Sequence, residues 1–190
     1  MILPVRAFGD PILRKECAEV PQDYPGLQEL IENMFETMYN ANGIGIAAPQ
    51  VGLALRLFVV DVRPLADDED FKDVADKLRD FKKVFINPTI LERSGEPWKF
   101  NEGCLSIPEV REDVLREETV KVEYFDENFQ KHTEEFSDIR ARVVQHEYDH
   151  IEGILFTDYL SPLKKKMVKG KLTKIANGDV DVNYKMRFAK

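Results

Sequence analysis

The sequence predicts an α+β fold in which mixed and antiparallel β-sheets pack around a central metal-binding helix, with an N-terminal and a C-terminal helix. Three observations point there. An apolar stripe at helical spacing runs from Leu27 to Met38, and a second helical pattern surrounds the run Gln145, His146, Glu147, Tyr148, Asp149, His150. Strand-like segments lie before and around that second helix without the alternation of βαβ units.

The length of 190 residues is enough for one domain with a sizeable core, expected to span 1–190. Residues 65–83 read as a surface insertion and 161–190 as a C-terminal helix and tail. Hydrophobic residues at 43% beside charged residues at 33% are ordinary for a folded, water-facing protein. A net charge of −8 argues against a nucleic-acid binder driven by bulk charge and leaves room only for a local basic patch. The opening MILPVRAFGDPILRKECAEV has no signal-peptide core, and no apolar run reaches the roughly 18 residues of a membrane span. With two cysteines, Cys17 and Cys104, a disulfide framework is not expected, and a reducing cytoplasm is the natural location.

Leu27, Leu30, Ile31, Met34, Phe35 and Met38 recur at three- and four-residue steps and predict a helix ending near Asn42 and Gly43. Leu55 to Val62 reads as a buried strand and Val84 to Ile86 as another. Between them, alternating acids and bases from Asp67 to Lys83 mark a solvated excursion. Val120 to Phe125 alternates as a half-buried strand, and Lys131 to Phe136 pairs with it across Asp126 to Gln130. Asp138 is expected to cap the helix carrying His146 and His150, with Gly153 near its end. After Pro162 a helical stretch carries Lys164, Lys165, Lys166, Lys169, Lys171 and Lys174 without an acid. That run is a solvated face or a contact for an acidic partner such as ribosomal RNA.

Residues four apart on a helix share a face, so His146 and His150 can reach one ion while Glu147 projects beside it. Alone, the five-residue pattern also fits a chance HExxH on an exposed helix. A catalytic ion typically has three protein ligands and one open position, so a third ligand is needed. Cys104, in the loop-like NEGCLSIP, is either that ligand or a small buried apolar residue. Cys17 sits in no comparable loop, and His132 lies on the expected hairpin. A second segment, GIGIAAPQVG from Gly43 to Gly52, lacks the Lys and Ser/Thr of a phosphate loop but suits backbone passing close to a ligand. Its one polar side chain, Gln50, is either a core amide or a donor to an oxygen developing negative charge. A zinc endopeptidase would need a downstream ligand, for which Glu152 is too close on the same helix, and a structural metal module would recruit Cys17.

GIGIAAPQ at Gly43 to Gln50, EGCLS at Glu102 to Ser106 and QHEYDH at Gln145 to His150 resemble, in order and spacing, the three signature motifs of the peptide deformylases. FGDPILR near the start, INP at Ile86 to Pro88 and LFTDYLSPLKK after the metal helix also look like that family. The acidic stretch around Asp67 to Asp80 and the long ending NGDVDVNYKMRFAK depart from the compact bacterial pattern. The resemblance implies a metal-dependent hydrolase that removes the formyl group from N-terminal formylmethionine of nascent polypeptides and releases formate. It implies Cys104, His146 and His150 as ligands, a metal-bound water that attacks the formyl carbonyl, and Glu147 as general base and then acid.

By the same resemblance the Gln50 amide and the Leu105 N–H stabilise the oxyanion. Ile44, Gly45 and Gly103 pair with the substrate backbone, and Arg111 contacts it. Ile44, Ile86, Ile139 and Val143 form the methionine slot, which Arg142 narrows or caps, and Glu102 with Arg116 braces the second motif. The implied ion is Fe2+ in the cell, with Zn2+, Ni2+ or Co2+ able to occupy the same ligands in purified protein. The implied partner is a formyl-Met peptide or nascent chain; ribosome contact through the lysine-rich C-terminal segment stays an alternative to a solvated face, and neither membrane contact nor direct DNA binding is expected from the composition.

Overall fold

The structure, a computed structural model, describes residues 1–189. Strand β1 (Val5–Arg6) precedes helix α1 (Leu27–Asn40) and strands β2 (Gly45–Ala47) and β3 (Leu57–Asp61). A short helix α2 (Ala75–Leu78) leads into β4 (Lys82–Ser94), β5 (Trp98–Cys104), β6 (Ile107–Arg116), β7 (Thr119–Phe125) and β8 (Lys131–Phe136). Helix α3 (Asp138–Ile151), helix α4 (Pro162–Asn177) and β9 (Met186–Arg187) complete the chain.

Five strands form one antiparallel sheet in the order β2-β3-β4-β7-β8, while β5 and β6 form a separate hairpin and β1 pairs in parallel with β9. Strand β3 is apolar throughout its first four residues because both sheet faces are covered. Leu57 and Val59 join the cluster that holds Ile31, Met34, Phe35 and Met38 of α1. Phe58 and Val60 join the opposite cluster, with Val143, Val144 and Ile151 of α3. Alternate side chains therefore serve alternate layers, and each fully buried Leu, Ile, Phe or Met contributes about 1.5–3 kcal/mol. A third cluster lies under β6, where Ile107, Val110 and Val114 meet Phe156, Val168 and Ile175.

The α+β architecture, the N-terminal helix, the central helix and the β7-β8 hairpin follow the expectation. Four details differ. Strand β4 runs well beyond Val84 to Ile86, tolerating two register irregularities against β7. The cap position of α3 belongs to Ser137, and Asp138 sits inside the first turn at φ 57°, where its carboxylate accepts the Arg140 N–H at 3.1 Å. The 65–83 stretch is not wholly solvated, since Leu78 and Phe81 are buried in the core. The tail returns to the N-terminus, where the Val5 and Ala7 N–H groups donate to the carbonyls of Lys185 and Arg187. No helix among the described residues is long and apolar enough to cross a membrane.

Candidate active site

One turn of α3 sets His146 and His150 side by side, with ring centroids 5.1 Å apart. Strand β5 ends at Cys104, whose Sγ lies 3.3 Å from His150 Nε2. The ligating atoms of these three residues fall within 4.8 Å of one another, and among the described residues no fourth His, Cys, Asp or Glu joins the group. His146 Nδ1 is committed to Glu102 Oε2 at 2.9 Å, which leaves its Nε2 for an ion. A carboxylate behind a ligating imidazole fixes its orientation and raises its basicity.

Burial pushes both imidazoles down, but Cys104 and Glu102 overcome it at His146 and hold that ring well above the usual histidine range. His150 stays well below it, through burial and then the proximity of His146. One cysteine sulfur and two imidazole nitrogens with one side open fit a catalytic divalent ion. The alternatives lose their ligands. Burial pushes the Cys17 thiol up to about 11 inside the core, and Glu152 is held by Arg56 at 2.6 Å.

Glu102 is the junction behind the ligands. Its Oε1 accepts from Arg116 Nε at 2.7 Å and Arg142 Nη1 at 2.9 Å, and its Oε2 accepts from Arg116 Nη2 at 3.0 Å. Arg116 Nη1 reaches Asp149 Oδ2 at 2.7 Å, and the Tyr159 hydroxyl donates to the same oxygen at 2.9 Å. Burial alone would raise the Glu102 pKa. His146 and Arg116 outweigh it and hold the carboxylate ionised, well below its ordinary range.

Glu147 has the opposite environment. Burial pushes it up to about 7, and its Oε2 has no partner among the described residues. Gly45 explains how the carboxylate fits, because a Cβ there would lie 2.5 Å from Glu147 Oε1 and 2.9 Å from its Cγ. Across the site, Gln50 Oε1 accepts the Ala47 N–H at 2.8 Å, which fixes the amide and points Nε2 towards Cys104 Sγ at 3.5 Å and Ser106 Oγ at 3.2 Å. Leu105 follows Cys104 in the link to β6, and its side chain presses on Gly43, where a Cβ would lie 2.8 Å away.

A family model described as polypeptide deformylase matches residues 2–166. The chain belongs to the peptide deformylase family. It is 60% identical over 189 residues to the peptide deformylase of Christiangramia forsetii, covering 99% of this chain and 96% of the relative. Against that of Flavobacterium psychrophilum identity is 55%, covering 99% and 97%. Among solved structures, the peptide deformylase of Legionella pneumophila superposes with a TM-score of 0.79 at 38% identity, covering 94% of this chain and 98% of that one. That of Thermotoga maritima gives 0.74 at 39% identity, covering 85% and 99%. The family's reaction is removal of the formyl group from an N-terminal methionine by a metal-dependent hydrolase, and this chain is such an enzyme.

The deformylase site opens on a cavity of about 780 Å³, within the size range of small-ligand pockets. Ile44, Gly45, Gly103, Arg111 and Val143 line it, together with Gln50, Cys104, Leu105, His146 and Glu147. Arg111 lies over Gly103, its register partner, and bonds the Asn101 carbonyl at 2.6 Å. Two residues expected in the methionine slot are not brought there. Ile86 faces the α1 side of the sheet, away from α3, and Ile139 is packed into the core between α3 and the sheet. Apolar character marked both for burial, but periodicity does not distinguish a core wall from a pocket wall.

Arg142 also differs from expectation. It borders the cavity, yet its guanidinium turns away to Glu102, the Val114 carbonyl at 3.1 Å and the Trp98 carbonyl at 2.6 Å, lying 4.5 Å from the Trp98 ring centroid. The sequence carried one signal for this, the four-residue spacing that puts Arg142 and His146 on one face of α3. Ser106, Asp149 and Tyr159 were not singled out, and only Asp149, three residues from His146, had a spacing that could have shown it.

Proposed function

We propose that Cys104, His146 and His150 hold the catalytic ion of this deformylase and that Glu147 moves the proton. The observation that carries the reading is the pairing of a three-ligand set, to which no fourth donor is added among the described residues, with the buried Glu147 carboxyl, whose Oε2 has no partner there. When bound, a divalent ion supplies Lewis acidity and an activated water near neutral pH. Glu147, pushed up towards neutrality by its burial, takes a proton from the attacking water and passes it to the departing methionine nitrogen. Gln50 Nε2 and the Leu105 N–H stabilise the charge that develops on the formyl oxygen. The substrate backbone adds as a strand against Ile44, Gly45 and Gly103, with Arg111 beside it and Ile44 and Val143 along the methionine side chain.

Ferrous iron is the proposed cellular ion. A mixed thiolate and imidazole set suits it, as it suits zinc, nickel and cobalt, and occupancy follows availability. The proposed setting is the cytoplasm, acting on nascent chains. The exposed lysines of α4, Lys165, Lys166, Lys169 and Lys174, support docking on ribosomal phosphate. Protein purified without oxygen is expected to contain iron and to release formate from a formyl-Met tripeptide. Zinc as the only metal in such a preparation would overturn the iron assignment, and cleavage of an internal peptide bond would overturn the reaction.

A further inference from the structure

The C-terminal tail does more than end the chain. Gly178 closes α4 in the left-handed conformation at φ 77° and turns the backbone, and Val180, Met186 and Phe188 pack onto the cluster beneath β6. Strand β9 then fastens the tail to β1 through the Lys185 and Arg187 carbonyls. Held between these anchors, Tyr184 packs with Leu105 in the α1-side cluster and lines the substrate cavity. Its hydroxyl donates to the Leu105 carbonyl at 2.7 Å.

Leu105 and Ser106 form the link between β5 and β6. Two external bonds hold its carbonyls: Tyr184 on Leu105, and the Phe8 N–H on Ser106 at 2.8 Å. The Leu105 N–H has no acceptor among the described backbone contacts outside the regular elements. The Leu105 N–H lies in the peptide unit before the one whose carbonyl Tyr184 holds, so the restraint acts one Cα away: fixing the Leu105–Ser106 peptide limits rotation at Leu105 and with it the aim of that N–H. We infer that Tyr184 is a positioning residue for deformylation: through the Leu105 carbonyl it holds the N–H of that residue on the formyl oxygen, making the tail part of the active site. The inference rests on the reading of the Leu105 N–H as an oxyanion donor.

The test uses full-length, metal-loaded protein and a formyl-Met tripeptide. Tyr184→Phe keeps the ring packing and removes only the hydroxyl. One net hydrogen bond corresponds to a loss of about threefold to tenfold in kcat, with KM and metal content unchanged and Tm lowered by no more than a few degrees. Tyr184→Ala, which also removes a wall of the cavity, is expected to raise KM as well. Lys185→Ala alters an exposed tail side chain and should leave both constants unchanged. Wild-type kcat in Tyr184→Phe, or a change confined to KM or Tm, overturns the positioning role while leaving the deformylase reading intact. Wild-type protein that releases no formate overturns both.

Discussion

Glu147→Gln is expected to lower kcat by about 10²- to 10⁴-fold, the usual contribution of a positioned acid-base group, while one metal ion per chain remains bound. The amide fills the same space and cannot accept the proton. Metal stays because Cys104, His146 and His150 are the only members of the ligand cluster among the described residues. Stability of the metal-free protein should move the other way. The folded-state value of about 7 lies above the ordinary 4.5, so between those limits the native protein binds more protons than the unfolded chain, and stability falls as pH rises through that window. The amide removes that slope, and the variant at pH 8 should have a Tm equal to or above that of wild type. As a companion, Gly45→Ala displaces the carboxylate without changing its chemistry, and a misplacement near 1 Å costs roughly 10²-fold. Rate, metal content and Tm measured on the same samples decide the matter. Metal loss in Glu147→Gln would make the residue a ligand instead of a base.

Arg116→Leu is expected to destabilise the fold by about 3–5 kcal/mol, the cost of leaving buried carboxylates without their cation. Arg116 is 5% exposed and bridges two acids, Glu102 and Asp149, which are 3% exposed each. For a chain of this size the loss lowers Tm by about 6–20 °C. Glu102 retains Arg142 and His146, so the site should survive in weakened form, with metal affinity reduced about 10- to 100-fold. Lys131→Ala supplies the contrast. Its pair with Glu123 at 3.0 Å is 55% and 38% exposed, and its loss should fall within about 1 kcal/mol. Equal Tm values for the two variants by calorimetry would remove the buried network from the account of stability.

The parts of the fold legible in the sequence are those whose pattern is local. Helix α1 shows its buried stripe in Ile31, Met34, Phe35 and Met38, and β7 alternates through Val120, Val122 and Tyr124. The β5-β6 hairpin was not legible because β5 buries mainly Glu102, whose burial makes sense only beside Arg116 and Arg142. The β1-β9 pairing joins two dipeptides from opposite ends of the chain, a contact with no local signal. The site followed the same division. The His146, Glu147, His150 spacing and the loop around Cys104 mark chemistry by residue type, whereas the inward turn of Arg142 and the reach of Tyr184 depend on neighbours distant in sequence. Ile86 shows the converse limit, since its apolar character was read correctly and its face of the sheet was not.

X-ray absorption on the zinc-loaded protein tests the ligand set most directly. The expected spectrum has one sulfur at about 2.3 Å and two imidazole nitrogens at about 2.0–2.1 Å from the ion, with a light atom completing the shell. Cys104→Ser should abolish the sulfur contribution. A spectrum without sulfur in the wild type, or a sulfur shell that persists in Cys104→Ser, would contradict the proposed metal centre.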